Sequence, residues 1–217
     1  MNVYATEDEQ VEAIKKWWKE NAKSVLGGVL IGVAVIYGGK LWLDQRNHHV
    51  EAASAEYEAM LMDLNQEQNV KAAERGALIL GQYDDTAYAE LASLVMARIK
   101  VEDNDLSAAK SHLGWALDNA KQEHVKQIAR LRLAQVLYSE ESYTEALQLV
   151  NGANAGKYLA SYEELKGDIF VAQGELAQAR RAYTIALDTL EPGSRLRRYL
   201  EMKLDDLGEA ASPAAQS

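Results

Sequence analysis

The chain has 217 residues, a formal net charge of −10, no Cys and only two Pro. The absence of Cys excludes disulfides and thiolate metal sites, and the negative charge argues against a nucleic-acid-binding face. The sequence is rich in strong helix formers and lacks the alternating β-branched pattern of strands, so it predicts an all-α protein.

Residues 1–23 form a short leader with features of an amphipathic helix. Thr6 and Glu9 match the T-x-x-E capping box that opens many helices. The apolar residues of one predicted face are Val11, Ile14, Trp17 and Trp18. The leader is interpreted either as a helix lying at the membrane interface or as a basic flank that only sets topology.

Residues 24–43 form the most apolar stretch and predict a transmembrane helix. About 20 helical residues extend roughly 30 Å, which is enough to cross the hydrocarbon core of a bilayer. Bulky Leu41, Trp42 and Leu43 follow where a cleaved signal peptide needs small residues. The sequence therefore favours a permanent single-pass anchor.

Basic residues before the span predict its orientation. Lysines cluster ahead of the span at Lys15, Lys16, Lys19 and Lys23. By the positive-inside rule the N-terminus is cytoplasmic, and residues 44–207 lie on the opposite side. In a Gram-negative bacterium, the protein would be an inner-membrane protein whose C-terminal domain is periplasmic.

Small residues recur every four positions within the span, at Ser24, Gly28 and Gly32. Such a face lets two membrane helices approach closely. We therefore predict a helix–helix contact there, with a second copy or another membrane protein.

Small residues also recur through the rest of the chain, with a period of about 33 to 37 residues that is typical of tetratricopeptide arrays. Three units share this skeleton: Ala97, Ala109 and Ala116; Ala134, Ala146 and Ala153; Gly167, Ala179 and Ala186. Small residues are needed where paired helices cross. Residues 44–207 are therefore predicted to form a tetratricopeptide-like helical-repeat solenoid.

Short polar segments separate the predicted helices. Turns are expected at residues 102–105, 140–142 and 173–175. An amphipathic helix at 195–207 is predicted to cap the stack, and residues 208–217 to form a disordered tail. Helices at 52–64 and 70–81 are interpreted as a degenerate first repeat, with Ala73 placed 36 residues before Ala109.

The predicted working surface is a concave groove lined by the first helix of each pair. Mapping the repeat positions places these residues there: Leu94, Arg98, Leu131, Gln135, Tyr138, Glu164 and Asp168. Tyr and Arg are favoured at binding hot spots. The alternative is that the two leucines belong to the ordinary core between helices.

No motif for catalysis, cofactor binding or metal binding is recognised. The adjacent pair His48 and His49 would point apart on a helix, and no nucleotide-binding or hydrolase fingerprint occurs. We therefore expect no enzyme activity, no cofactor, no metal, no small-molecule substrate and no nucleic-acid partner.

The leader, the glycine-rich span and the repeats together resemble the YfgM-like family, the ancillary subunit of the bacterial Sec translocon. The resemblance starts with Thr6 to Val33, and its specific parts are the leader Asp8 to Asn21, the position of the span and the single-pass architecture. Trp17 and Trp18 stand where a Phe pair is more usual. The resemblance implies association with the Sec translocon and with a membrane-anchored periplasmic chaperone of the peptidyl-prolyl isomerase type. It implies a role in protein secretion, in which secreted chains are handed to folding factors.

The alternative hypothesis is a regulatory membrane protein. Its cytoplasmic leader would bind a stress-signalling factor, while the repeats sense the state of the envelope. Composition and spacing alone reach only an anchored scaffold for protein–protein interaction.

Overall fold

A computed structural model describes residues 7–208, and every regular element in that range is helical. The described chain divides into two compact units, one ending at Ala52 and one beginning at Ala53. Thr6 of the predicted capping box and the predicted tail from residue 209 onward lie outside the described residues.

The first helix, α1 (Glu7–Asn65), runs through the predicted leader and the predicted span without a break. By length and composition it can cross a membrane, since an 18-residue window has a mean hydropathy of 1.7. The guanidinium of Arg46 lies 5.5 Å from the ring centroid of Trp42, a cation–π contact at the end of the apolar stretch. The divisions at residues 23/24 and 43/44 stay predictions, because the helix continues through both.

The second unit is built from antiparallel helix pairs joined by short turns. After the end of α1 come α2 (Asn69–Gln82), α3 (Ala87–Glu102), α4 (Leu106–Asn119), α5 (Glu123–Ser139), α6 (Tyr143–Val150), a short 3₁₀ helix (Gly156–Tyr158), α7 (Leu159–Ala172), α8 (Leu176–Asp188) and α9 (Arg195–Asp206). The predicted turns between paired helices and the all-α repeat fold are confirmed.

The turns inside the pairs share one backbone geometry. Glu67, Asn104, Glu141 and Gly174 occupy the same place in successive turns, and each has a positive φ between 59° and 76°. Only Gly adopts this region without steric cost, so the two glutamates are held there by the helices on either side. The repeated geometry identifies the end of α1 and α2 as a true first repeat.

Two predicted small positions need correction. The residue of α2 equivalent to Ala109 is Ala72, which is fully buried, rather than Ala73. Ala153 lies in the connection after α6 instead of in a helix, because α6 ends at Val150. The other small residues of the skeleton are buried as predicted.

The packing of each pair depends on one small and one large side chain that face each other. In the last pair, a Cβ on Gly167 of α7 would overlap the ring of Tyr183 of α8. In the first pair the glycine is on the second helix: a Cβ on Gly76 of α2 would lie 2.9 Å from Cε of Met60 in α1, and closer still to Met96 of α3 in the next pair. The intermediate pairs place Ala97 with Leu113 and Ala134 with Val150 in their cores.

Helix α9 closes the end of the stack. Its N-cap Ser194 accepts a hydrogen bond from the backbone N–H of Arg197 at 3.1 Å, and Leu200 is fully buried against α8. The predicted capping helix is confirmed. Tyr199 of the same helix is 45% exposed.

We predict that Gly167→Ala destabilises the repeat unit by about 1–3 kcal/mol, because the added methyl group must displace the Tyr183 ring. Urea unfolding of the full-length protein in mild detergent measures the change.

The matched control is Gly114→Ala in α4, where a Cβ meets no atom within 4 Å. That substitution is expected to stabilise by up to about 1 kcal/mol, because alanine is the better helix former. In a Tyr183→Val background, Gly167→Ala should lower the free energy of unfolding by less than in the wild type. An alanine facing a valine is the combination that the pair of α5 and α6 already has, at Ala134 and Val150. Equal costs in both backgrounds would contradict the packing account.

Candidate functional site

A cleft of about 450 Å³ opens between α3, α4 and α5. Its floor is apolar, and its rim carries polar side chains from the first helices of two neighbouring pairs. The floor residues are Ala97, Val101, Leu106, Leu113 and Val136, and the rim residues are Arg98, Glu102, Arg132, Gln135 and Ser139. An apolar floor with a polar rim is the usual anatomy of a protein-binding surface.

Helical periodicity explains how the rim forms. Arg98 and Glu102 are four residues apart on α3, and Arg132 and Gln135 are three apart on α5, so each pair shares one helix face. Because α3 and α5 are the first helices of adjacent repeats, these two faces border the same cleft.

The two arginines of the rim are in different electrostatic situations. Arg98 donates a hydrogen bond from Nε to Glu102 at 2.8 Å and is largely exposed. Arg132 donates a long bond of 3.4 Å to the backbone oxygen of Leu94. Burial and, next, the charge of Arg98 lower the pKa of Arg132. No carboxylate in the described range of residues 7–208 forms an ion pair with Arg132.

The predicted groove residues fall into four groups. Arg98 and Gln135 line the cleft. Leu94 is only 6% exposed and belongs to the core around α3, α4 and α5, so its assignment to the groove is corrected. Leu131 and Tyr138 are half-buried against the next core, and the Tyr138 ring lies 5.9 Å from that of Tyr143.

The remaining two, Glu164 and Asp168, are bound by the capping helix. Nζ of Lys203 on α9 donates to Oε1 of Glu164 at 3.0 Å and to both oxygens of Asp168 at 2.7 and 2.8 Å. These carboxylates are therefore occupied within the chain rather than free to bind a partner.

Tyrosine side chains surround the Lys203 ion pairs. The hydroxyl of Tyr183 donates to Asp168 at 2.6 Å, and the ammonium of Lys203 lies 4.5 Å from the ring centroid of Tyr199. Burial alone would lower the pKa of Lys203, but hydrogen bonds to Asp168 and Glu164 raise it above its ordinary value. Burial and the hydrogen bond to Asp168 raise the pKa of Tyr183.

Arg132 and Lys203 were not identified by reasoning from the sequence. The position of Arg132, three residues before Gln135, was a usable signal, because those residues share a helix face. Nothing local marked Lys203, since its partners lie 35 and 39 residues away.

In the first unit, the small-residue face of Ser24, Gly28 and Gly32 is open. Among the described residues, no atom lies within 4 Å of a Cβ placed on Gly28 or Gly32. The predicted helix–helix contact stays a prediction that needs a partner helix.

Comparison with known proteins connects both units to one family. The sequence model of a family described as a tetratricopeptide repeat-like domain matches residues 15–209. A protein of Haemophilus influenzae named ancillary SecYEG translocon subunit is 31% identical over 94% of this chain and 99% of its own length. Proteins with the same name from Escherichia coli and Neisseria gonorrhoeae are 27% and 26% identical, each over 95% of this chain.

We predict that Lys203→Ala loosens α9 by about 1–3 kcal/mol, because it leaves two partly buried carboxylates without their shared donor. Amide hydrogen exchange of the full-length protein in mild detergent measures the opening of α9. Arg198→Ala is the control, since Arg198 is exposed on the same helix. Unchanged protection of α9 in the Lys203 variant would show that apolar contacts alone hold the cap.

Proposed function

Because the chain belongs to the tetratricopeptide repeat-like family of ancillary SecYEG translocon subunits, we propose that it is a non-catalytic, membrane-anchored scaffold. It associates with the Sec translocon and helps to hand secreted proteins to periplasmic folding factors. The observation that carries this proposal is the cleft of α3, α4 and α5, which has the floor and rim of a protein-binding surface.

The anchor gives the scaffold its place in the cell. The apolar part of α1 spans the inner membrane once, and the lysines of the leader keep the N-terminus in the cytoplasm. Residues 44–207 then form the periplasmic domain, on the side where secreted chains emerge.

Tethering removes the need for tight binding. A binding surface held on the same membrane as its partner meets that partner at a high effective concentration, so modest intrinsic affinity is enough. A cleft of about 450 Å³ with an apolar floor fits this requirement. Transient binding also allows a secreted chain to be released to the next factor.

The membrane helix supplies a second contact surface. Ser24, Gly28 and Gly32 form a face on which another membrane helix packs closely. We assign this face to the translocon, and the cleft to the secreted chain or to a membrane-anchored chaperone of the peptidyl-prolyl isomerase type.

A photo-crosslinking amino acid at Gln135, on the rim of the cleft, is expected to form adducts with a secreted chain or with such a chaperone. The experiment uses the full-length protein in native membranes, and the adducts are identified by mass spectrometry. The control position is Gln148, which is exposed on α6, the second helix of the same pair.

The proposal expects adducts from Gln135 and few or none from Gln148. If Gln135 yields no adduct with any of these partners while the protein is present in the membrane, the scaffold role is wrong.

A further inference from the structure

The cleft of α3, α4 and α5 holds an arginine whose bonding capacity is largely unused. A guanidinium has five N–H donors, and within residues 7–208 the one hydrogen bond that Arg132 forms is the long contact to the oxygen of Leu94. The nearby Glu102 is already engaged by Arg98 at 2.8 Å. In a chain of net charge −10, this part of the rim therefore carries an uncompensated positive charge.

The apolar floor adjoins that charge and continues beyond it. Val101 is 42% exposed, and Tyr138 and Val171 occupy the equivalent positions of α5 and α7, each four residues after the small residue of its helix. Val171 is 40% exposed, and Tyr138 is half-buried. An apolar row thus leads from the cleft across successive first helices.

Charge and shape together select one kind of occupant. A guanidinium fork binds a carboxylate through two parallel hydrogen bonds, which is a strong and geometrically specific interaction. The apolar row accepts side chains that neighbour this carboxylate. Because the row continues past α5, the helix that carries Arg132, to Val171 of α7, an occupant that runs through the cleft fits it better than one that ends there.

We infer that the cleft binds an extended segment of a protein chain through an internal aspartate or glutamate side chain, flanked by apolar residues. The carboxylate pairs with the guanidinium of Arg132, and the flanking side chains cover Val101 and Tyr138. This inference rests on the proposed function and adds the chemical class of segment that the scaffold recognises.

The test measures fluorescence anisotropy of labelled peptides with the full-length protein in mild detergent. The first probe is a short peptide of alternating valine and serine with one central aspartate and an amidated C-terminus. The second replaces the aspartate by asparagine, and the third is the asparagine peptide with a free C-terminal carboxylate. We expect the aspartate probe to bind about tenfold more tightly than the other two.

Variants of the protein locate the effect. Arg132→Gln is expected to abolish the preference for aspartate, while Arg181→Gln, which removes the same charge from an exposed position of α8, preserves it. Arg132→Glu is expected to prefer a probe with a central lysine, a gain that a misfolded protein cannot show.

Three results would overturn the inference. They are equal binding of the aspartate and asparagine probes, an aspartate preference that survives Arg132→Gln, and tightest binding of the probe with the free terminus. Crosslinking from Gln135 separates this inference from the proposed function. Adducts without aspartate preference leave the scaffold role intact and refute only the recognition of an acidic segment.

Discussion

The fold of the second unit depends on steric complementarity between the two helices of each pair. Where α7 carries Gly167, α8 supplies Tyr183, and where α2 carries Gly76, Met60 of α1 and Met96 of α3 fill the space. Neither helix can approach its partner unless one of the two side chains is small. This constraint lets successive first helices lie side by side, and the cleft exists only because α3 and α5 are neighbours in that arrangement.

Equivalent positions of the repeat carry different chemistry on the same geometry. Arg98, Gln135 and Asp168 each follow the small residue of their helix by one position. Arg98 and Gln135 border an open cleft, whereas Asp168 is bound by Lys203 and serves the capping helix. The repeat scaffold thus separates the residues that complete the stack from those that line the cleft. The carboxylates of Glu164 and Asp168 are neutralised within the chain by Lys203.

The boundaries of the helices were predictable because their signals are local. Turns such as residues 173–175 contain Gly or several polar residues, and a capping Ser194 precedes α9. The phase of each helix was less predictable, because it depends on neighbours that are distant in sequence. For this reason the predicted small position at Ala73 was wrong by one residue, since the buried alanine is Ala72. For the same reason Leu94 proved to be a core residue. Family resemblance indicated the partners, but it did not indicate the role of Arg132.

The central claim is that a membrane helix holds the repeats, with their protein-binding cleft, on the periplasmic side of the inner membrane. The chain lacks Cys, so single-Cys variants can be labelled specifically with a membrane-impermeant maleimide. In spheroplasts with an intact inner membrane, Gln148→Cys is expected to react at once, and Lys15→Cys only after lysis. Labelling of Lys15→Cys but not of Gln148→Cys in intact spheroplasts would contradict the account.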